Sequence, residues 1–402
     1  MGHSVRTGTL RDFDAITRLL VLAFHDSADD DQWAEMTRPV FEPARSLVAV
    51  DGAEIVGHAG AYTRDLTVPG SVMPAAFVTM VGVSGTHRRK GIAKELLIRQ
   101  LHDARAAGEA LAVLWASEGR IYQRFGYGMA SRKLSLDIET REVSLGVPRE
   151  PQGRIRAGYP HELVKDATRV YDSVVVLRPG YASRPGNWWE FLLQDPPSRR
   201  EGGGPRRMVI HEGPSGVDGY ALFQVKPSWD AGGPNGQVFV HHLVAGNPVA
   251  YRELWRWLLD IDLTRGVSLA YGSVDEPLLD MVDEPRRLHA SLTDGLWLRV
   301  LDVAAALGRR RYATQPDLVI EVTDPLIGDN NGRFLLDGTR DSGERQPDLA
   351  LDIATLGSLF LGGGSAGALA DAGRIAELRP GAVAVADAAF RWHRAPVGIE
   401  LF

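Results

Sequence analysis

The sequence predicts an α/β protein that ends in a smaller α+β part, with mixed sheets flanked by helices. Three observations carry this prediction. Apolar strands alternate with amphipathic helices over residues 5–140 and again over residues 155–290. From about residue 295 the pattern changes to short strands followed by two short helices. A chain of 402 residues is too long for one ordinary core, so two to three domains are expected.

Composition excludes several classes of protein. The 44% hydrophobic and 24% charged residues are typical of a soluble globular chain. The formal net charge is −6 and no basic tract indicates nucleic-acid binding. The absence of cysteine excludes disulfides, thiolate nucleophiles and Cys-ligated metals. No apolar run approaches the ~18 residues that span a membrane, and no signal peptide is evident, so we expect a cytoplasmic protein without a membrane partner.

The first part is predicted to run from a helix through hairpins to a strand–helix–strand unit. Asp51-Gly52 marks the turn of a hairpin over residues 46–57, and Gly108 is a plausible helix stop. The other elements are a helix over 14–24, a strand over 75–83, a helix from 92 to Gly108, a strand over 111–115 and a short helix over 117–125.

The rest of the chain follows a proline- and glycine-containing linker at residues 141–157. The second α/β pattern has helices at 161–171, 188–192 and 251–259 and strands at 208–210 and 220–223. The last part has strands at 296–301, 318–322 and 333–336 and helices at 353–361 and 366–372. We therefore predict domains at residues 1–145, 146–292 and 293–402, and no strand–helix junction of the second carries a credible phosphate loop.

The most informative stretch is Arg88-Arg89-Lys90-Gly91, where the strand over 75–83 meets the following helix. A helix N-terminus presents free N–H groups and a positive dipole end, which favour a bound anion. Gly91 allows close backbone approach, and the basic side chains add charge-assisted hydrogen bonds. The alternative is a plain helix start with solvated arginines. Residues 199–204 match the same Arg-x-x-Gly-x-Gly pattern without a flanking strand or helix, so we interpret them as a loop.

Three segments together resemble the Eis-type (enhanced intracellular survival) N-acetyltransferases of the GNAT class. They are residues 86–91, Ser117-Glu118-Gly119 with Ile121-Tyr122 and Arg124-Phe125-Gly126-Tyr127-Gly128, and Asp294-Gly295-Leu296-Trp297-Leu298-Arg299. The resemblance spans nearly the whole chain. It implies tandem GNAT-like domains, the second without a cofactor site, and a C-terminal sterol-carrier-protein-like α+β domain. It further implies acetyl-CoA as co-substrate, no metal, a homohexamer, and multisite acetylation of aminoglycosides or other polyamines.

The resemblance assigns the two catalytic groups. Tyr122 is the implied general acid, and a phenol with a pKa of ~10 is protonated at neutral pH and able to donate to a leaving thiolate. The alternative for Tyr122 is a core tyrosine, and Tyr127 is the structural counterpart. The implied base is the C-terminal carboxylate of Phe402, which requires the last domain to return the chain end to the first. The alternative is a frayed terminus.

The implied cofactor contacts begin with a strand edge that pairs with pantetheine amides and continue to the phosphates. The alternatives are an ordinary core strand and a solvated helix start. The cofactor-binding set is Val81, Gly82, Val83, Arg88, Arg89, Lys90, Gly91, Ile92, Ala93, Lys94, Ser117 and Glu118.

On the acceptor side, acidic residues beside an aromatic suit a polycationic amine, although a solvated acidic loop would look the same. The predicted acceptor contacts are Asp26, Trp33, Met80, Trp115 and Glu400. Met80 stands where the family has an aromatic and Trp115 where it has a histidine, so the acceptor pocket is expected to differ. His241-His242 has no third ligand at metal spacing and is interpreted as structural.

Two other hypotheses remain open from the sequence. The same chemistry could act on lysine side chains of proteins. The apolar stretch at residues 356–361 could instead belong to a lipid- or sterol-binding domain.

Overall fold

The computed structural model describes residues 2–25, 30–147, 153–343 and 345–402, without the side chain of Asp30. The N-terminal part has the strands β1 (Ser4–Thr7), β2 (Ser46–Asp51), β3 (Glu54–Val68), β4 (Ser71–Val83), β5 (Leu111–Trp115), β6 (Gly128–Met129) and β7 (Arg132–Glu139), and the helices α1 (Phe13–Phe24), α2 (Asp30–Thr37), α3 (Ile92–Ala106) and α4 (Gly119–Gln123). Helix α1 buries Ile16, Leu19 and Leu20 at helical spacing, as its sequence pattern predicts.

The middle part repeats this alternation. Its strands are β8 (Arg154–Gly158), β9 (Arg207–Gly213), β10 (Gly216–Lys226), β11 (Trp229–Asp230), β12 (Gly233–Pro234), β13 (Gly236–Ala245), β14 (Thr264–Gly272) and β15 (Ser291–Asp294), and its helices are α5 (Pro160–Val174), α6 (Trp188–Leu193), α7 (Pro248–Leu259) and α8 (Leu278–Met281). The predicted linker is partly packed, because Leu145 forms a β-bridge with Val282.

The last part has shorter elements. Its strands are β16 (Leu296–Val300), β17 (Val319–Thr323), β18 (Gly332–Leu335), β19 (Arg340–Asp341), β20 (Leu349–Asp352) and β21 (Ile375–Glu377), and its helices are α9 (Val303–Arg309), α10 (Ile353–Phe360), α11 (Ala366–Asp371) and α12 (Ala382–Phe390).

Two seven-stranded sheets share one topology. The first has the order β1-β2-β3-β4-β5-β16-β6, and the second, read from its opposite edge, has the order β8-β9-β10-β13-β14-β7-β15. Among the strands that the structure describes, the parallel pair of each of these two sheets is formed by its fourth and fifth strands, β4 with β5 and β13 with β14. A separate five-stranded sheet has the order β19-β18-β17-β20-β21, and β11 and β12 form a two-stranded sheet.

The sixth strand of each large sheet is exchanged between distant parts of the chain. Strand β7 follows β6 directly in sequence but pairs with β14 in the second sheet. Strand β16 lies in the first sheet between β5 and β6. The predicted boundaries after residues 145 and 292 therefore do not separate the two sheets, because each sheet contains a strand from beyond one of these boundaries. The domain ranges stay predictions.

The last part packs closely on the first sheet. A Cβ atom at Gly357 in α10 would lie 2.3 Å from the carbonyl oxygen of Leu298, so the helix approaches β16 as only glycine allows. Arg299 of β16 forms a fully buried ion pair with Asp324, with Nη2 2.6 Å from Oδ2. Leu356 and Phe360 are fully buried in this core, so the apolar stretch proposed for lipid binding is used for packing. Among the described residues, no helix is long and apolar enough to cross a membrane.

Candidate active site

A cavity opens where β4 and β5 diverge. The two strands pair only at residues 75–77 and 111–113, although β4 continues to Val83. Beyond this point, residues 78–81 line a cavity of about 390 Å³. Because successive side chains of a strand face opposite sides, a consecutive lining run means that the open backbone edge of β4 faces the cavity.

A β-bulge shapes this edge. Met80 has a φ of 53°, and the pairing of β4 with β3 shifts its register at this point, between His58 and Gly60. The fully buried His58 has Nδ1 2.7 Å from the Met80 carbonyl oxygen and Nε2 2.5 Å from Oγ of Ser46. Burial lowers the pKa of His58 to about 4, so its ring is neutral at pH 7. In that state Nδ1–H donates to the Met80 carbonyl, which fixes the bulge.

The basic turn lies at the start of α3, on the surface beside this edge. Arg89 has a φ of 64° and Gly91 a φ of 85°, and the helix has no side-chain cap at its first turn. The side chains of Arg88, Arg89 and Lys90 are exposed and have no ion-pair partner within the described part of the chain. The turn therefore presents free backbone N–H groups and unpaired positive charge to one spot, as an anion site requires.

The predicted cofactor residues divide into three groups. Val81 and Ser117 line the cavity. Gly82 and Val83 pair with β3 through His58 and Gly57, so they continue the strand toward the basic turn. Ile92, Ala93 and Lys94 form the first turn of α3, and Glu118 precedes α4 as its N-cap residue. No set of three or more His, Asp or Glu side chains in the described ranges is arranged to hold a metal ion.

Tyr122 lies in α4 and lines the cavity with its side chain largely buried. Burial raises the pKa of Tyr122, the Ser117 hydroxyl partly offsets this, and the charge of Glu118 adds to the increase. The phenol is therefore protonated at neutral pH and can donate a proton. Tyr127 contacts Tyr122 edge-on at 6.0 Å between ring centroids but does not line the cavity.

The chain end lies in the same cavity. Leu401 and Phe402 line it together with Tyr122, and the Phe402 ring packs edge-on against Phe77 at 4.8 Å between ring centroids. Nε1 of Trp115 donates to the carbonyl oxygen of Glu400 at 2.9 Å. These contacts hold the last residues in the gap between β4 and β5. The alternative interpretation of the sequence was a frayed terminus.

Glu400 anchors this segment through a buried charge cluster. Its carboxylate accepts hydrogen bonds from Arg64 and from Nε of Arg184, the latter at 2.9 Å, and from Nε1 of Trp188 at 2.9 Å. Arg184 also lies 3.6 Å from the ring centre of Tyr171. Burial alone would raise the pKa of Glu400, but the charges of Arg184 and Arg64 outweigh it and lower the pKa to about 2. Glu400 is thus ionised and fully engaged.

The structure corrects the predicted role of Glu400 and places the other acceptor residues. Glu400 does not line the cavity and has no charge to spare for a substrate, because two arginines neutralise it. Trp33, Met80 and Trp115 do line the cavity. Asp26 lies outside the described residues.

Sequence reasoning missed several residues of the cavity wall, because they come from distant parts of the chain. Phe191 of α6 and Arg199 reach the cavity from the middle part. The loop interpretation of residues 199–204 agrees with the structure, which has a short 3₁₀ turn at Pro197–Arg199 and no strand before it. Arg199 nevertheless contributes to the wall. No local signal in the sequence indicates this.

The fold agrees with comparisons to known proteins. Residues 4–130 and 180–300 each match an acetyltransferase (GNAT) domain model, and residues 303–398 match a sterol carrier protein domain model. An uncharacterized N-acetyltransferase of Streptomyces avermitilis is 41% identical over 94% of each chain. The N-acetyltransferase Eis of Mycobacterium tuberculosis is 31% identical over 82% of this chain and 84% of its own.

A solved structure gives the same result. The crystal structure of Eis1 from Mycobacterium abscessus superposes with a TM-score of 0.84 at 32% identity, over 100% of both chains. The chain therefore belongs to the Eis family of GNAT N-acetyltransferases, with two GNAT domains and a sterol-carrier-protein-like domain.

Proposed function

We propose that this chain transfers acetyl groups from acetyl-CoA to amines of a polycationic small molecule, aminoglycosides among them. The observation that carries the proposal is the convergence of Tyr122, Phe402 and the open edge of β4 on one cavity. The edge offers backbone partners to the amides of the CoA arm, and the basic turn at residues 88–91 offers a site for its phosphates.

Two residues of this chain divide the proton transfers. The carboxylate of Phe402 attracts the ammonium form of the acceptor and takes a proton from it, which frees the nitrogen lone pair for attack on the thioester carbonyl. Tyr122 then donates its proton to the departing thiolate, and the second proton that the nitrogen loses as the amide forms restores the Tyr122 phenol. A carboxylate is a weak base in water, so its proposed role depends on its position beside the acceptor amine.

The acceptor side of the cavity favours a cation held by aromatic faces. Trp33, Tyr62, Trp115 and Phe191 line it, and Arg199, which also lines it, is engaged in an interaction within the chain. Indole and phenol faces attract ammonium groups. This wall is not an acidic pocket. The carboxylate of Glu400, which the sequence predicted to contact the acceptor, is instead paired with arginine in the buried charge cluster.

The proposal is tested by CoA thiol release from acetyl-CoA with kanamycin as acceptor. We expect release by the wild type and a loss of about two or more orders of magnitude in kcat for Tyr122→Phe. Tyr127→Phe is the matched control, since Tyr127 packs beside Tyr122 outside the cavity, and it should keep kcat within about threefold. A fully active Tyr122→Phe enzyme would contradict the assignment of the acid.

The base and the acceptor are tested separately. One glycine added after Phe402 displaces the carboxylate and should reduce kcat as strongly as Tyr122→Phe; an extended protein with full activity would refute Phe402 as the base. Release with a lysine peptide but not with kanamycin would assign the enzyme to protein lysines. The homohexamer stays a prediction, which sedimentation at two protein concentrations tests.

A further inference from the structure

The pairing of β4 with β3 determines which backbone groups of β4 point toward the cavity of the first domain. The N–H of Ser84 donates to the carbonyl oxygen of Val56 at 2.9 Å, so residue 84 faces β3. In an antiparallel pair, residues alternate between facing the partner strand and facing away from it. Gly82 therefore also faces β3, whereas the N–H and C=O groups of Val81 face the opposite edge. Val81 lines the cavity, and this edge is the one that β5 leaves open.

The peptide unit between Met80 and Val81 is held from its other side by His58. The peptide bonds of the described chain are trans, so the Met80 C=O and the Val81 N–H point in opposite directions. Nδ1 of His58 lies 2.7 Å from the Met80 carbonyl oxygen, and Nε2 lies 2.5 Å from Oγ of Ser46. Because a carbonyl only accepts, Nδ1 carries the ring proton and Nε2 accepts from the Ser46 hydroxyl. His58 thus fixes the direction in which the Val81 N–H points.

This peptide unit needs such a contact, because Met80 has a conformation that its side chain disfavours. Its φ of 53° lies in the left-handed region, which residues other than glycine adopt rarely and with strain. Met80 and Val81 both lie opposite Ala59 of β3, so the regular ladder is interrupted at this unit. His58 is fully buried and does not line the cavity. It can therefore act on a substrate only through the peptide unit that it holds.

We propose that His58, through the Met80 carbonyl, is a positioning residue for the chemical step, because it aims the Val81 N–H at the carbonyl oxygen of the acetyl group. This inference rests on the acetyl transfer proposed above. Negative charge develops on that oxygen as the amine attacks, and a fixed N–H donor stabilises the developing charge more than it stabilises the thioester before attack. A loss of His58 should therefore reduce kcat more than it changes KM for acetyl-CoA.

Two amide side chains in place of His58 separate this role from the filling of space in the core. The amide nitrogen of asparagine is as many bonds from Cβ as Nδ1 of histidine, and that of glutamine is as many bonds from Cβ as Nε2. His58→Asn can therefore still donate to the Met80 carbonyl. His58→Gln reaches Ser46 instead and leaves the Met80 carbonyl without its donor.

The test is thiol release from acetyl-CoA with kanamycin, analysed for kcat and for KM of acetyl-CoA. We expect His58→Asn to keep kcat within about threefold and His58→Gln to lose about 10- to 100-fold, with KM changed by about threefold or less in both. Urea unfolding should show similar losses of stability in the two variants, because each removes one hydrogen bond and part of the ring. His58→Leu, which fills the space without any donor, is a second variant that should lose kcat as His58→Gln does.

A change at Met80 provides an independent readout. Glycine adopts a φ of 53° without side-chain strain, so the bulge should depend less on His58 in a Met80→Gly protein. We expect His58→Gln to cost less than about threefold in kcat when it is added to Met80→Gly.

The outcomes distinguish this inference from the proposed function. Equal kcat in the asparagine and glutamine variants of an active enzyme would overturn the role of His58 and leave the acetyl transfer intact. So would a full loss of kcat when His58→Gln is added to Met80→Gly. No thiol release by the wild type, with kanamycin or with a lysine peptide, would refute the acetyl transfer and this role together.

Discussion

The two GNAT domains share a sheet order, but they differ at one strand–helix junction. In the first domain the junction carries Arg88, Arg89 and Lys90 and ends at Gly91, with no side-chain cap on α3. In the second it is short and ends in an Asn247 cap and Pro248. The two domains thus share the order of their strands, and the residues at this junction are what distinguishes the proposed phosphate site of the first domain from its counterpart in the second.

The largest expected effect concerns the buried cluster that joins the two domains. Glu400→Ala leaves Arg64 and Arg184 buried without their common partner, so we expect a loss of about 3–5 kcal/mol in the free energy of unfolding. Activity should fall with it, because the segment that ends at Phe402 loses its anchor. Urea unfolding measures the first and thiol release the second. Glu54→Ala, on an exposed residue of β3, is the control, and equal stability of both variants would contradict the anchoring role.

The same cluster predicts a pH dependence. The folded pKa of Glu400 is about 2, below the ~4.5 of an unpaired glutamate, so its contribution is present above pH ~4.5 and is lost as the pH falls toward 2. Unfolding experiments at pH 6 and pH 3 should show a smaller loss of stability in Glu400→Gln than in the wild type. Equal losses in the two proteins would count against the ion pairs.

Glu276, which is buried in the second domain, should show the opposite sign, because burial raises the pKa of its carboxyl. Its folded pKa of about 7 lies above the unfolded value, so the cost of ionising it appears as the pH rises from ~4.5 through 7. Glu276→Gln should therefore be more stable than the wild type at pH 8, by up to about 3 kcal/mol, and similar to it at pH 4. Chemical unfolding at the two pH values tests this. A constant difference would mean that the carboxyl keeps an ordinary pKa.

The difference between the two junctions can be tested by removing the positive charges of the first one. Arg88→Ala together with Arg89→Ala should raise KM for acetyl-CoA about 10- to 100-fold and leave kcat within about threefold, because phosphate contacts bind equally in the ground and transition states. Arg200→Ala is the matched control from the other Arg-x-x-Gly match, where Arg200 pairs with Asp195 at 3.1 Å. An unchanged KM in the double variant would show that the phosphates bind elsewhere.

The smallest expected effect concerns the stability of the protein and one backbone position in the first junction. Gly91→Ala forces alanine into a φ of 85°, although no atom lies within 4 Å of the new Cβ, and should cost about 1 kcal/mol. Gly85→Ala, in the same loop with equally open space and no positive φ, should cost nothing measurable. Thermal melting of the two variants compares them. Equal melting temperatures would mean that the left-handed turn is not strained by a side chain.

Local sequence patterns were sufficient for most elements and for the glycine turn that begins α3. The apolar spacing of α1, the Asp51-Gly52 turn and the start of α3 after Gly91 all agree with the structure. The strand exchange could not be predicted, since the pattern at residues 296–301 predicts a strand but contains nothing that selects its sheet. The predicted acceptor contact of Glu400 differs from the structure for a similar reason. Its partner Arg64 lies 336 residues away, and no spacing rule connects them.

The position of β16 has a consequence for the order of folding. Its residues 296–300 pair with β5 at residues 111–115, and no other strand joins β5 to β6. During synthesis the edge of β5 therefore stays unpaired, and the N-terminal sheet incomplete, until some 180 further residues have been made. Chains are usually elongated at about 5–20 residues per second. Domains usually fold one after another as they emerge, but in this chain the first can close only together with the second.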